Sequence, residues 1–364
     1  MSYEDSLTTI CRQFTDEAVT ETEAVSEGHI NDTYFVRTAA GRYVLQRLQP
    51  KMDPEKLRFN FELYSKICES AGWAYPKWMR CKDGTYFHTD SFGRRWRMYP
   101  YIEAETLKAP LTKEQLFACG KGLAILHGFL QELPAEPKPV YPMLHDLGVY
   151  YERYRTTLSG NNLCEKNRVP EIEEQIQQGI ARFLPCGHMA ERKAAENDDN
   201  PPKTAGREDI QPGAAANNVR IIHGDAKLSN ILFRNGAVIG MLDWDTVMAG
   251  SASEELADCI RSCCVNRGTF DREAAEVIVE GYRNGMAESA ENGLSETVKS
   301  VTGMIETGEP KSVVSDLPRA FDKINFELAL RYYTDVISKD KTFKEKYPGY
   351  RLTRVRELLG VTWR

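Results

Sequence analysis

Between Ile221 and Asp245 the chain reads IIHGDAKLSNILFRNGAVIGMLDWD, and three of its side chains carry oxygen at a spacing that suggests one site. The runs ILF, residues 231–233, and AVIGML, residues 237–242, are expected to pair as a hairpin about Asn235-Gly236, a dipeptide suited to the positive φ of a tight turn. Ile221 and Ile222 form a short strand that enters the loop. A hairpin brings the chain back to where it started, so Asp225 and Asn230 before it and Asp243 after it would meet at one mouth. Two carboxylates and an amide oxygen, with no histidine cluster, suit a hard cation such as Mg²⁺. Phosphoryl transfer from ATP uses these parts: Asp225 to take the proton of the acceptor hydroxyl, Asn230 and Asp243 to hold the metal. Taken singly, each residue has a plainer use in capping turns and satisfying loop amides. Asp245 is expected to aid the metal site, the loop or the substrate, and His223 to orient the loop through a backbone bond.

The pattern His-Gly-Asp-Ala-x-x-x-Asn resembles the kinase catalytic loop His-Arg-Asp-Leu-x-x-x-Asn, with Gly224 where that loop has arginine. Regulated protein kinases use the arginine to grip an activation-loop phosphate, so its replacement fits a constitutively competent small-molecule kinase. Followed by a strand and LDWD, the pattern resembles the aminoglycoside phosphotransferase and choline kinase superfamily. GHINDTYFV, GRYVLQRLQP, WRMYPYIEAET, HGDAKLSNILF, LDWDTVMAG with ADCIRS, and FELALRYYTDVISKDKTFK are similar to the N-acetylhexosamine 1-kinase group within it. The resemblance implies an α+β, protein-kinase-like two-lobe fold with a small β-rich N-terminal lobe and a larger, mainly helical C-terminal lobe. It also implies ATP and Mg²⁺ as cofactors, and phosphate placed on the anomeric hydroxyl of an N-acetylhexosamine. Glu255 departs from the group, in which an aspartate is expected after the metal motif.

The same pattern requires a loop over the phosphates, a cation on the third strand and an acid to hold it. SEGHINDTYFV occupies the loop position with a single glycine, and Gly28, His29, Asn31, Asp32 and Thr33 offer hydrogen bonds to phosphate or substrate. Arg47 in VLQRL is the candidate cation and Glu62 of the following helix its candidate partner. Tyr99, Tyr101 and Ile102, in the crossing from WRMYPYIEAETL into the helical half, offer backbone groups to adenine.

These residues rest on two kinds of element. TYFVRT and RYVLQRL alternate around a Gly-containing turn, and DPEKLRFNFELYSKICESAG opens with Asp53 and Pro54 as cap and first turn of an amphipathic helix. WMRCKDGTYFHTD and RRWRMYPYI resume strand character. From about residue 104 the periodicity is helical: Thr112 caps a long helix that Pro134 stops, and further helices are predicted over 254–266, 271–287 and 320–339. The N-terminal nucleotide-binding lobe is thus set at 1–103 and the catalytic and substrate-binding lobe at 104–364. A flexible insertion near 186–218, poor in apolar periodicity, interrupts the second.

Charge bears on the acceptor. A polycationic aminoglycoside calls for an acidic pocket, yet residues 320–364 hold ten Lys or Arg against six Asp or Glu. Choline calls for an aromatic cage, which Tyr332, Tyr333 and Trp363 keep open. A neutral sugar calls for mixed donors and acceptors, and Arg331 and Asp335, one helical turn apart, are candidates; a surface pair between them is the plain alternative. Homoserine and ethanolamine remain acceptors to test, and a nucleotide-binding pseudokinase scaffold is the reading from a different class. His127, on an apolar helix, and Tyr150, Tyr151 and Tyr154 are expected to pack.

The whole chain sets the outer bounds. In 364 residues a hydrophobic fraction of 41% and a net charge of −6 describe a folded protein with no basic footprint for nucleic acid. No apolar run approaches bilayer length, the N-terminus lacks signal-peptide character, and nine cysteines without a Cys-x-x-Cys pair are expected to be thiols of a cytoplasmic protein. Cys186 and His188 alone make a poor metal site.

Overall fold

Alternating apolar positions in DTYFVRT and RYVLQR build strands β2 (Asp32–Thr38) and β3 (Arg42–Arg47), which pair antiparallel and in register, Tyr34 opposite Leu45 and Val36 opposite Tyr43. With β1 (Val19–Val25), β4 (His88–Thr89) and β5 (Arg95–Pro100) they form one antiparallel sheet in the order β1-β2-β3-β5-β4. The computed structural model describes residues 3–25, 31–184, 219–291 and 311–364. Gly28, His29, Cys186, His188 and the 186–218 segment lie outside the described residues.

Each face of this sheet has its own cover. Tyr34, Val36, Leu45, Trp96 and Met98 pack with Leu7, Ile10, Cys11 and Phe14 of helix α1 (Tyr3–Cys11) and the residues after it. Val44 and Tyr99 point the other way, into a larger core shared with the helical region. Helix α2 (Pro54–Ser70) begins as its sequence predicts, the Asp53 carboxylate accepting from the amides of Glu55 and Lys56. The stretch after it, expected as strand, pairs only at His88 and Thr89. Its aromatic residues bury sideways instead: Trp78 stacks on Phe61 of α2 at 4.3 Å, and Tyr86 meets the same ring edge-on at 5.0 Å.

The remainder is mainly helical. Helix α3 (Lys113–Leu130) opens with a capping box between Thr112 and Gln115. Helices α4 (Leu147–Ser159), α5 (Pro170–Phe183), α6 (Ala252–Cys264), α7 (Arg272–Glu291), α8 (Leu317–Ile337) and α9 (Tyr350–Leu359) follow. Gly120 allows α3 to lie directly on α7, since a Cβ there would come within 1.9 Å of the Ile278 carbonyl. Cys263 and Cys264 are buried, unbridged thiols of α6. No helix among the described residues is long and apolar enough to cross a membrane.

Two small antiparallel ribbons sit where the sheet meets the helices. β6 (Val219–Ile222) pairs with β9 (Met248–Ser251), a partner the sequence did not suggest, and β7 (Ile231–Arg234) pairs with β8 (Ala237–Met241). Asn235 and Gly236 take the expected positive φ values of 51° and 79° between β7 and β8. This hairpin is stitched to the preceding chain at two points: Glu105 and Phe233 exchange both backbone bonds, at 2.9 and 2.8 Å, and Ala74 bonds to Ile239 and Met241. Asn230 and Asp243 therefore flank a ribbon that is bonded at its middle to Ala74 and Glu105.

Candidate active site

The loop between β6 and β7 is held by its own backbone. His223 donates from Nε2 to the Leu242 carbonyl at 2.9 Å, while burial keeps its imidazole pKa low, which suits a neutral ring. Gly224 has φ of 84°, and a Cβ there would lie 2.4 Å from the Thr246 carbonyl, so glycine is required both by conformation and by space. Its amide donates to Glu255 Oε1 at 2.5 Å, and the His223 amide donates to Glu255 Oε2 at 3.2 Å. Glu255 in turn accepts from His127 Nε2 at 2.6 Å, and His127 Nδ1 meets the Tyr282 hydroxyl at 2.8 Å. On the other side, His145 donates from Nε2 to the Gly224 carbonyl at 3.1 Å and from Nδ1 to Glu327 at 3.3 Å.

This frame presents Asp225. Its Oδ2 receives the Asn230 amide at 2.9 Å and an ion pair from Lys227; among the described residues no hydrogen bond reaches its Oδ1. Burial alone would raise the pKa of Asp225, but Lys227 and the Asn230 amide more than offset it and hold the carboxyl below its usual range. Asn230 Nδ2 also donates to the Asp225 carbonyl at 2.9 Å, which commits its nitrogen and leaves its side-chain oxygen as an acceptor.

Asp243 adopts a left-handed conformation, φ 61°, at the far end of the hairpin. Burial, reinforced by the charges of Asp245 and Asp225, pushes its carboxyl up to about 7. Among the described residues it has neither a hydrogen bond nor an ion pair of its own. Among the described residues no three His, Cys, Asp or Glu gather closely enough to hold a metal ion, although carboxylates with one amide oxygen are the donor types that a hard divalent cation takes. Asp243 thus feels the charge of Asp225, and Asn230 bonds to Asp225 directly.

Asp245 is committed elsewhere. It takes a bidentate ion pair from Arg97 of β5, at 2.5 and 2.8 Å, and accepts from Asn31 Nδ2 at 3.1 Å. Arg97 also donates to Gln46 Oε1 at 2.9 and 2.7 Å. The Arg47–Glu62 pair expected from the kinase pattern does not form. Arg47 pairs with its cross-strand neighbour Asp32, and Glu62 with Arg58 at 3.2 Å. The reason is strand alternation: Arg47 shares a side of β3 with Leu45, which packs toward α1, whereas Gln46 shares the opposite side with Val44. Thr33 lies on that second side, its hydroxyl accepting from Gln46 at 3.2 Å. Tyr99 is buried there, and Tyr101, under the Arg42 guanidinium at 4.1 Å, bonds through its amide to the Arg42 carbonyl. Ile102 follows directly, partly exposed.

A cavity of about 140 Å³ opens beside the loop that carries Asp225, walled by Leu144, His145, Ile222, Gly224, Ala226, Met248, Glu254, Glu255 and Asp258. Its acids are spent on neighbours: Glu254 on Lys323, Asp258 on Arg261 at 2.8 Å, and Glu255 as above. Although burial disfavours its charged form, Glu327 outweighs that and raises the pKa of His145 to about 9. Arg331 and Asp335 do not pair with each other. Arg331 lies over Tyr150 at 4.8 Å and approaches Glu327 at 3.9 Å, while buried Asp335 accepts from the amides of Thr342 and Phe343, both at 2.6 Å.

The sequence model of the APH family, described as a phosphotransferase enzyme family, matches residues 21–291. The chain belongs to that family. Like its members, it is a small-molecule kinase acting on a hydroxyl group. This phosphotransferase is similar to homoserine kinases of Methylobacterium nodulans, 21% identical over 72% of this chain and 70% of theirs. It is likewise similar to that of Chelativorans sp., 23% identical over 77% and 76%. Among solved structures it resembles the amicoumacin kinase hAmiN in complex with AMP-PNP, Ca²⁺ and Ami, with a TM-score of 0.61 at 8% identity over 98% of this chain and 92% of that one. A microcompartment-associated aminopropanol kinase aligns with the same score at 13% identity, over 98% and 94%. These likenesses establish the protein-kinase-like α+β fold of the phosphotransferase.

Sequence reasoning missed Arg97, Gln46, Lys227 and His145. Lys227 was in plain view two residues after Asp225. Gln46 and Arg97 were one residue away from legible, because applying strict alternation from Val44 and Tyr99 selects them. His145 had no signal, since it reaches the loop from 79 residues away in sequence.

Proposed function

We propose that this phosphotransferase transfers the γ-phosphate of ATP to a sugar hydroxyl, the anomeric hydroxyl of an N-acetylhexosamine. The observation that carries the phosphoryl-transfer chemistry is the state of Asp225: ionised, held through one oxygen by Lys227 and Asn230, and with Oδ1 left for an acceptor proton. Asn230 and Asp243 would hold Mg²⁺, whose part when bound is to neutralise phosphate charge. Lys227, beside both aspartates, keeps the base anionic and adds a second positive charge on the phosphate side. Thr33 and the backbone of residues 99–102 are proposed to meet the nucleotide, and Arg331 the acceptor side.

The cavity wall supports a neutral, hydroxyl-rich acceptor. Glu254 and Asp258 are each paired with a cation, Glu255 is spent on two loop amides and His127, and His145 adds positive charge, a poor surface for a polycation. Nor do the candidate aromatics make a choline cage. Tyr332 stacks on Phe343 at 4.1 Å, Tyr333 bonds to Glu173 at 2.9 Å, and Trp363 packs on Phe270 and Phe321. The names of the homoserine kinase relatives favour a second reading, in which the paired charges Asp258 and Arg261 receive the ammonium and carboxylate of an amino acid.

An ATP-consumption assay over N-acetylglucosamine, N-acetylgalactosamine, hexoses, homoserine, choline, ethanolamine and aminoglycosides tests the choice, with the phosphorylated position read by phosphorus-coupled NMR. The N-acetylhexosamines are expected to give the highest kcat/KM and a 1-phosphate. Preferential turnover of homoserine establishes the second reading. Magnesium-dependent nucleotide binding without stimulation by any acceptor makes the protein a scaffold.

A further inference from the structure

Side-chain alternation divides the five-stranded sheet into two sides with different charge. On the side turned to the catalytic hairpin, β3 contributes Val44 and Gln46 and β5 contributes Arg97 and Tyr99, the pairs Val44–Tyr99 and Gln46–Arg97 lying directly across from one another. The third-strand cation that a kinase of this fold would use is therefore replaced on the inner side by the neutral amide of Gln46. The charge is supplied from the neighbouring strand.

Arg97 is 3% exposed, and its guanidinium makes four side-chain hydrogen bonds. One edge grips both oxygens of Asp245, another grips Gln46, and its flat face lies 4.8 Å from the Trp78 ring. Asp245 also takes Asn31 Nδ2, and Asn31 Oδ1 takes the amide of Gln49. One cation thus links β3, the segment after α2, the exit of the loop that precedes β2, and the end of the catalytic hairpin. Asp245 is two residues from Asp243, and Trp244 between them is pinned by its Nε1 bond to Met241 and by stacking on Tyr64 at 4.6 Å. With Trp244 and Asp245 both fixed, the left-handed backbone at Asp243 is held, and with it the direction in which its side chain leaves the chain.

We infer that Arg97 is the positioning residue that joins the sheet to the metal-facing end of the hairpin: through Asp245 it sets Asp243, and through Gln46 and Asn31 it ties strand β3 and the entry to β2 to that same end. The two aspartates of LDWD accordingly divide their labour, Asp243 serving the cation and Asp245 the guanidinium. This rests on the phosphotransferase reading of the site and is independent of which acceptor is used.

The test compares Arg97→Met and Asp245→Asn with the unaltered full chain. Binding of Mg²⁺-AMP-PNP is followed by calorimetry, which needs no acceptor, together with thermal melting and, with the acceptor found by screening, kcat and the Mg²⁺ concentration for half-maximal rate. Misplacement of Asp243 by about an ångström is expected to lower kcat roughly 100-fold. The Mg²⁺ requirement should rise at least about tenfold, by loss of ligand geometry, while the KM for the acceptor stays within about threefold. Asp245→Asn, nearly isosteric, keeps the experiment decisive if Arg97→Met does not fold. A folded variant with a lower melting temperature but with nucleotide binding, Mg²⁺ requirement and kcat all within about twofold of the parent reduces Arg97 to a structural ion pair and overturns the inference. Should no acceptor be found, the Mg²⁺ dependence of AMP-PNP binding still decides it.

Discussion

Glu255 accepts the amide protons of His223 and Gly224 with its two oxygens, the shorter bond 2.5 Å long, and so fixes the two peptide units that lead into Asp225. Because Glu255 is buried with His127, replacing it by an apolar residue strands two amides and an imidazole donor. Glu255→Leu is expected to cost about 3–5 kcal/mol in urea unfolding. Glu255→Gln, which retains one acceptor oxygen, should cost less than half of that and still reduce kcat. An apolar variant as stable and as active as the parent would remove the role.

Asp225→Asn keeps the shape of the side chain and removes its capacity to take a proton. A loss in kcat of about 10²–10⁴ is expected, with Mg²⁺-nucleotide affinity within a few-fold of the parent. Steady-state rates together with calorimetric titration separate the two effects, and ordinary turnover by this variant would exclude Asp225 as the base.

His145 makes stability depend on alkaline pH. Its folded pKa of about 9 lies above the 6.5 of an unperturbed imidazole, because Glu327 and the Gly224 carbonyl together outweigh the opposing effect of burial. The folded state holds the proton more tightly, so its contribution, on the order of 3 kcal/mol, is fully present below about pH 6.5 and is lost as pH rises through 9. Unfolding free energy should therefore decline between pH 6.5 and 9 in the parent. In His145→Gln that slope should flatten.

Removal of metal should abolish turnover, and Asp243→Asn should raise the Mg²⁺ concentration for half-maximal rate by about tenfold or more, as should Asn230→Ala. Neither change is expected to alter the pairing of Asp245 with Arg97; Asp243→Asn should melt close to the parent, whereas Asn230→Ala, which removes two hydrogen bonds to Asp225, should melt lower. Activity that persists in excess chelator would dismiss the cation from the mechanism.

The parts of this site readable from sequence are those governed by local rules. The hairpin about Asn235-Gly236, the Asp53 cap, the capping box at Thr112 and the helices near 254–266, 271–287 and 320–339 follow from turn chemistry and periodicity, which act over a few residues. Asn230 reaches Asp225, and Asp243 feels the Asp225 charge, for the same reason. What escaped was set by distance in the chain. Arg97 meets Asp245 across 148 positions and His145 meets Gly224 across 79, and no short window contains both members of either pair. Arg47 shows the complementary hazard: the right strand was identified, yet a shift of one residue places a side chain on the opposite face. Arg331 and Asp335 satisfy the helical spacing and are still drawn apart, one by Tyr150 and Glu327, the other by the amides after α8.

The Gly224 residue is tethered on both sides, its N–H to Glu255 and His127, its carbonyl to His145 and Glu327, and every tether belongs to a helix, a helix cap or a turn of the surrounding core. Such an arrangement removes the local fluctuation by which solvent deuterium reaches a loop amide. The amides of Gly224 and Asp225 should then exchange only when the helices themselves come apart, and their protection would gauge the cooperativity of the whole domain.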